Sequence, residues 1–214
     1  FNDSIFNFQS FTNYFFLFDA LVIIFMTFFF VSIVNFTNFA DGLDGLVAGS
    51  LIIILLFATY LQEGFYIYLV GGLLGFLILN WHPAKVFMGD SGSYFLGSIY
   101  CSCIFFSDSW TNLLALLIIG SPLYLDVMLC VVRRYIYKQD IFKPHKLNLY
   151  QRLNQNGLNH CQVSLIYILS KIVLGLSFIF GDIYYMFFTA LIIFAIGIYL
   201  DEYIALPFKK AINM

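Results

Sequence analysis

Two stretches of this 214-residue chain gather side chains suited to phosphate and metal chemistry. The first reads Asn35-Phe-Thr-Asn38-Phe-Ala-Asp41-Gly42-Leu-Asp44-Gly45-Leu. Its four polar side chains recur every third residue, so on a helix they share one face. The glycines permit a sharp turn or the close approach of a ligand. Helix capping would account for one such residue rather than four. Acids next to apolar spans are costly, and their usual justification is function. The second stretch reads Asn80-Trp-His82-Pro83-Ala-Lys85-Val-Phe87-Met-Gly89-Asp90-Ser91-Gly92-Ser93. Pro83 stops an incoming helix, and Gly89–Ser93 reads as a turn feeding the next. In the simplest reading Asp90, Ser91 and Ser93 are N-caps. The richer reading is an anion site, with free helix N–H groups and Lys85 for phosphate and a carboxylate for a hard cation.

The elements that must position these clusters are membrane helices. Of the chain, 62% is hydrophobic and 10% charged, far from the composition of a soluble domain. Apolar runs of about 15 to 20 residues recur, long enough or nearly so to cross a hydrocarbon layer. Stretches such as Leu21–Val34 and Leu51–Ala58 lack the alternation of a transmembrane barrel strand. They therefore read as helices, which satisfy their own backbone groups in lipid. We expect an all-α, polytopic transmembrane bundle of about seven spans, forming a single integral-membrane domain over residues 1–214. The spans are Phe15–Val34, Gly45–Leu61, Phe65–Leu79, Gly92–Phe106, Trp110–Val132, Val163–Phe180 and Ile183–Leu200.

Alternation of these spans puts the connections Asn35–Asp44, Asn80–Ser91 and Arg133–Gln162, with the C-terminal tail, on one side. Lys85, Arg133, Arg134, Lys138, Lys143, Lys146, Arg152, Lys209 and Lys210 all fall there, whereas the opposite loops carry Glu63, Asp108 and Asp182. The positive-inside rule makes the basic side cytoplasmic. The chain opens on Phe1 without a basic n-region, so no signal peptide is read and the sequence is expected to be the C-terminal part of something longer. Cys101, Cys103, Cys130 and Cys161 match no zinc or redox spacing and read as packing residues.

The segments Asn38-Phe-Ala-Asp41-Gly-Leu-Asp44-Gly and Pro83-Ala-Lys-Val-Phe-Met-Gly-Asp90-Ser-Gly-Ser resemble signatures of the polyprenyl-phosphate N-acetylhexosamine-1-phosphate transferases. A third segment, Pro144-His145-Lys-Leu-Asn-Leu-Tyr150-Gln151-Arg152-Leu153, is similar to the basic loop of the O-antigen-initiating branch, glycosyltransferase family 4. The resemblance implies transfer of a sugar 1-phosphate from a UDP-N-acetylhexosamine to a polyprenyl phosphate such as undecaprenyl phosphate, with release of UMP. It would take place in a bacterial inner membrane, as a first step of O-antigen, lipopolysaccharide or other cell-wall polysaccharide synthesis. It further implies that Asp90 holds Mg²⁺ (Mn²⁺ is the alternative) and that Asn38, Asp41 and Asp44 line the nucleotide and phosphate site. Phe87 would face uracil, and His145 and Arg152 would contact the diphosphate or sugar. With Asp41, Asp44 and Asp90 as the catalytic acids, Asn80 and Lys85 complete the expected substrate-binding set. Family members can form homodimers, and no nucleic acid is expected as a partner. Two departures stand out. The family's adjacent aspartate pair has no counterpart here and would precede Phe1. Asn148, Tyr150 and Gln151 occupy places where many relatives have histidines, which disfavours the peptidoglycan branch.

Weaker signals lie elsewhere. Asp126 and Lys171 fall inside spans at similar depths, about 10 and 12 Å from the basic side. That match predicts an ion pair; the alternative is a lone snorkelling Lys171 with Asp126 facing the site. His160 reads as a surface or capping residue. The tail from Asp201 either lies on the inner leaflet or frays. The rival functional readings are a cation- or proton-coupled transporter, which would hold its acids near the bilayer midplane, and a catalytically inactive fragment.

Overall fold

The computed structural model describes residues 16–62, 66–140, 143 and 145–212. Its helices are α1 (Phe16–Ala40), α2 (Leu46–Gln62), α3 (Tyr66–Asn80), α4 (Gly89–Phe105), α5 (Trp110–Ile136), α6 (Leu149–Gln155), α7 (His160–Gly181), α8 (Ile183–Tyr199) and α9 (Phe208–Ile212). A π-helical turn, Leu200–Ile204, continues α8. The described residues contain no strand. All seven expected spans are helices, and α6 and α9 are additions.

Four helical stretches are long and apolar enough to cross a membrane: Asp19–Ala40, Trp110–Ile136, His160–Gly181 and Ile183–Ile204. Helices α2, α3 and α4 have 17, 15 and 17 residues, which gives them about 23 to 26 Å of length. The protein is a multi-pass membrane protein. Helix α2 is central: it packs on α3, α4, α5 and α7 and is buried along most of its length. The outer faces of α3 and α8 carry exposed Ile78, Phe187 and Leu191, apolar surface that faces lipid at no cost.

Apolar side chains gain little by leaving lipid for one another, so close backbone packing and polar cross-links hold such bundles together. Helices α1 and α4 meet at Gly97, where a Cβ would lie 2.9 Å from the Val34 backbone. Beside it the buried Thr37 hydroxyl is 2.8 Å from that of Tyr124 on α5. At the loop end that carries Gln62 and Ser107, Gln62 Nε2 donates to Cys103 O (2.7 Å) and Ser107 Oγ (3.2 Å). Ser109 caps α5 by accepting from Asn112 N. Cys101, Cys103 and Cys130 are buried, unpaired thiols.

The expected ion pair between Asp126 and Lys171 is not formed. Asp126 instead accepts from Leu149 N (2.7 Å), Tyr150 N (3.2 Å) and Tyr167 Oη (2.7 Å). The first two are otherwise unpaired N–H groups of α6, which a carboxylate satisfies well. Lys171 is fully buried and donates to Tyr167 O at 3.2 Å, with its ammonium 5.6 Å from the Tyr167 ring centre.

The tail is docked, not frayed, as far as Phe208. Asp201 bridges Arg133 and Arg152. Leu206 N donates to Arg152 O at 3.2 Å, and Asn156 Nδ2 to Ile204 O at 2.7 Å.

Candidate active site

Helix α1 runs six residues past its expected end, so Asn38 stands on its last turn. Helix α4 starts three residues early, at Gly89, whose backbone is left-handed (φ +64°), which puts Asp90 in the first turn. Met88 holds the cap position without a side-chain hydrogen bond, so Asp90, Ser91 and Ser93 are not N-caps. Asn38 Nδ2 donates to Asp90 Oδ1 (3.0 Å) and to Ser93 Oγ (2.9 Å). One amide thus ties the two acidic stretches together across 52 residues of chain.

Between α1 and α2 the backbone turns through Asp41–Gly45, with Gly45 at φ +73°. Gly45 N donates to Asn80 Oδ1 (3.1 Å), and Asn80 Nδ2 donates to Val86 O (3.0 Å). Asn80 is 4% exposed and its amide joins the two loops, so in this structure it supports the site. Asp44 Oδ2 lies 2.7 Å from His82 Nδ1 and 3.2 Å from His160 Nδ1, and accepts from Ala84 N at 3.2 Å. His160 therefore belongs to this cluster, while Asn159 is the residue that caps α7. Spacing along the chain had no means of revealing His160, which is 116 residues from Asp44.

The acids experience different fields. Burial, then the charges of Asp90 and Asp44, push the Asp41 carboxyl up to about 6. Burial also raises Asp44, but hydrogen bonds from His82, Ala84 and His160 outweigh it and hold this carboxyl below the usual range. Two carboxyls three residues apart are thus driven in opposite directions, a pattern typical of functional sites. Asp90, Lys85 and Phe87 are exposed, Phe87 to 75%. These acids sit at helix ends, not at mid-depth, where a transporter would hold them.

The basic loop meets the site differently. Helix α6 supports the Asp41–Gly42 turn: Tyr150 Oη donates to Phe39 O at 2.8 Å. A Cβ on Gly42 would lie 2.8 Å from that hydroxyl and 2.9 Å from Gln151 Nε2. Arg152, expected to contact substrate, is 2% exposed. Its guanidinium donates to Leu147 O (3.0 Å), Leu206 O (3.0 Å) and Asp201, and lies over the Phe208 ring. In this structure Arg152 fastens the tail to α6 and does not join the acids. His145 Nδ1 accepts from Leu147 N at 3.2 Å. Burial, then the Arg134 charge, lower its pKa to about 4, and none of the described contacts links it to the acids. Pro144 lies outside the described residues.

A separate groove of about 780 Å³ runs between α5, α7 and α8. Leu125, Leu129, Ile166 and Phe187 line it, with Arg133, Arg152 and Asp201 among its walls; Asp41, Asp44 and Asp90 do not.

The chain is 33% identical over 188 residues to the probable undecaprenyl-phosphate N-acetylglucosaminyl 1-phosphate transferase of Bacillus subtilis (strain 168), covering 80% of this chain and 51% of that protein. It is 35% identical over 167 residues to the decaprenyl-phosphate N-acetylglucosaminephosphotransferase of Mycobacterium tuberculosis (strain ATCC 25618 / H37Rv), covering 64% and 41%. With the phospho-N-acetylmuramoyl-pentapeptide-transferase of Deinococcus radiodurans the identity is 40% over 128 residues, covering 59% and 39%. The chain thus spans about half the length, or less, of these relatives. Residues 2–108, which include both acidic stretches, match glycosyl transferase family 4, and the chain belongs to that family.

Proposed function

We propose that the protein formed with this chain transfers an N-acetylhexosamine 1-phosphate from a UDP-sugar to a polyprenyl phosphate, as the first membrane step of a cell-surface polysaccharide. The site would face the cytoplasm from a bacterial inner membrane, since nine of the ten basic residues lie on the side of the acidic loops. The observation that carries the reading is the hydrogen bond of Asn38 to Asp90, 3.0 Å long, which unites two acidic stretches at one end of the bundle. The names of the relatives favour N-acetylglucosamine 1-phosphate as the group transferred. The third motif favours O-antigen and lipopolysaccharide synthesis as the pathway served.

In this reaction an oxygen of the lipid phosphate attacks the β-phosphorus of the UDP-sugar. A new P–O bond forms, the bond to UMP breaks, and UMP leaves with its electron pair. The acceptor is already anionic, so no side chain has to generate the nucleophile; the protein supplies positioning and charge. The donor set suits Mg²⁺, with Mn²⁺ the alternative. It is all oxygen, Asp90 is exposed with only Oδ1 in a described hydrogen bond, and the Asp90 and Asp44 charges that add to burial in raising Asp41 would be offset by a cation. Asp90 would hold the ion, which supplies neutralisation of the diphosphate charge. Asn38 orients Asp90, Lys85 offers a cation to phosphate, and Phe87 offers a ring face for uracil. Asp41 and Asp44 line the nucleotide side. The groove between α5, α7 and α8 is suited to an apolar chain.

The test is transfer of labelled sugar phosphate from several UDP-sugars to undecaprenyl phosphate in membranes carrying the full-length gene product. Divalent-dependent label in lipid, abolished in Asp90→Asn, is the expected result. Absence of label from every UDP-sugar, or an unimpaired variant, rejects the reading.

A further inference from the structure

Asp44 is the most heavily anchored acid of the site, and its anchors come from two separate parts of the chain. His82 and Ala84 belong to the loop before α4, and His160 opens α7. All three converge on one oxygen, Oδ2, at 2.7, 3.2 and 3.2 Å. The Asp44 backbone is tied to α7 as well: its N–H points at His160 Nδ1 (3.4 Å), and its carbonyl accepts from Ser164 Oγ (2.9 Å). The two imidazole rings lie against each other, with centres 4.7 Å apart. No described contact uses Oδ1. One oxygen is saturated by the protein and the other is left over.

We infer that His160, acting with His82, is a positioning residue that clamps Asp44 by Oδ2 and reserves Oδ1 for the bound nucleotide sugar. The inference rests on the function proposed above and adds a specific duty for the first turn of α7. A carboxylate on a short flexible turn has several rotamers; the His82 and Ala84 contacts to Oδ2, with the His160 ring against both the Asp44 N–H and Oδ2, select a single one. Misplacing such a group by an ångström costs far more than losing one hydrogen bond. The clamp also makes α7 part of the site, although it enters the chain 116 residues after Asp44. The same three side chains have the spacing to hold a metal ion. Against that use, the Ala84 N–H is already directed at Oδ2, and a peptide donor on the shared ligand atom opposes a cation.

The experiment measures UDP-N-acetylglucosamine binding by calorimetry and turnover with undecaprenyl phosphate, on full-length protein in detergent. His160→Ala is expected to weaken nucleotide-sugar binding and raise its KM about tenfold, with the KM for lipid within about twofold. His160→Asn, whose side-chain amide keeps a hydrogen-bonding group near the Nδ1 position, is expected to recover most of the loss. In an Asp44→Ala background the His160→Ala change is expected to have no further effect on binding, because the two act as one unit. Equal losses in both backgrounds, or parallel losses for both substrates, would reduce His160 to a packing residue and overturn the inference. One tightly bound transition-metal ion per chain, lost in His160→Ala, would overturn it in favour of a metal centre. Wild-type protein that neither binds nor turns over any UDP-sugar sinks the proposed function itself; an active wild type with an unaffected His160→Ala sinks only the clamp.

Discussion

The acidic junction and the basic loop are both dense in polar side chains, and folding leaves them in opposite states. At the junction Asp90 and Lys85 are exposed, Phe87 shows 75% of its surface, and Asp44 keeps one oxygen outside every described contact. In the loop, Arg152 is 2% exposed with its guanidinium taken up by Leu147, Leu206 and Asp201, and Tyr150 is fully buried. Residue type does not distinguish the two regions; unused bonding capacity does. A ligand competes only for groups whose partners are water. A group already paired in a buried network would have to be unpaired first, at a cost of several kcal/mol.

The contrast is broken most directly by exchanging the kind of damage. Asp90→Asn is expected to lower turnover by roughly 10³-fold, since a metal ligand supplies several kcal/mol to charge stabilisation. Thermal unfolding in detergent should be unchanged for this exposed residue. Arg152→Ala should do the reverse and destabilise the fold by about 3 kcal/mol, because it leaves Asp201 short of a buried partner. The molecules that remain folded should keep normal KM values. If Arg152→Ala instead raised the KM for UDP-sugar with no change in unfolding temperature, the division between site and scaffold would be wrong.

Smaller effects sharpen the comparison. Phe87→Ala removes only a surface ring, and a stacking role predicts about a tenfold weaker affinity for UMP, read by calorimetry, with no change in stability. His145 gives the loop's counterpart. Its pKa is lowered to about 4 from about 6.5 in the unfolded chain, so the unfolded state binds more protons between those values. Stability is therefore fully present above about pH 6.5 and falls as pH drops toward about 4. His145→Asn should flatten that decline in a melting series and leave turnover at neutral pH unchanged. A flat wild-type profile would show that His145 is not held neutral by its surroundings.

Much of this was legible in the residues. Long apolar runs and the placement of basic residues yielded seven helices and their alternation, with boundaries off mainly where polar residues continue a helix, as at Asn35–Ala40 and Gly89–Gly92. The acidic stretches were legible because they combine acids and glycines in ways capping does not require. Helix α6 was not, because seven residues have too little periodicity to announce themselves and the first two N–H groups are satisfied by Asp126, far away in the chain. The expected pairing of Asp126 with Lys171 failed for the same reason: matching depth identifies possible partners, but the carboxylate found closer donors.

What the sequence alone determined was the class of the molecule and the end of the bundle that holds its acids. Hydrophobic run length and charge asymmetry are sums along the chain, and lipid acts on those sums. Only the tertiary structure decided that Asn38 bonds Asp90, that His160 holds Asp44, and that Asn80 and Arg152 are spent on the scaffold. Those assignments depend on which donors reach a given oxygen first, and that is a matter of ångströms between helices distant in sequence.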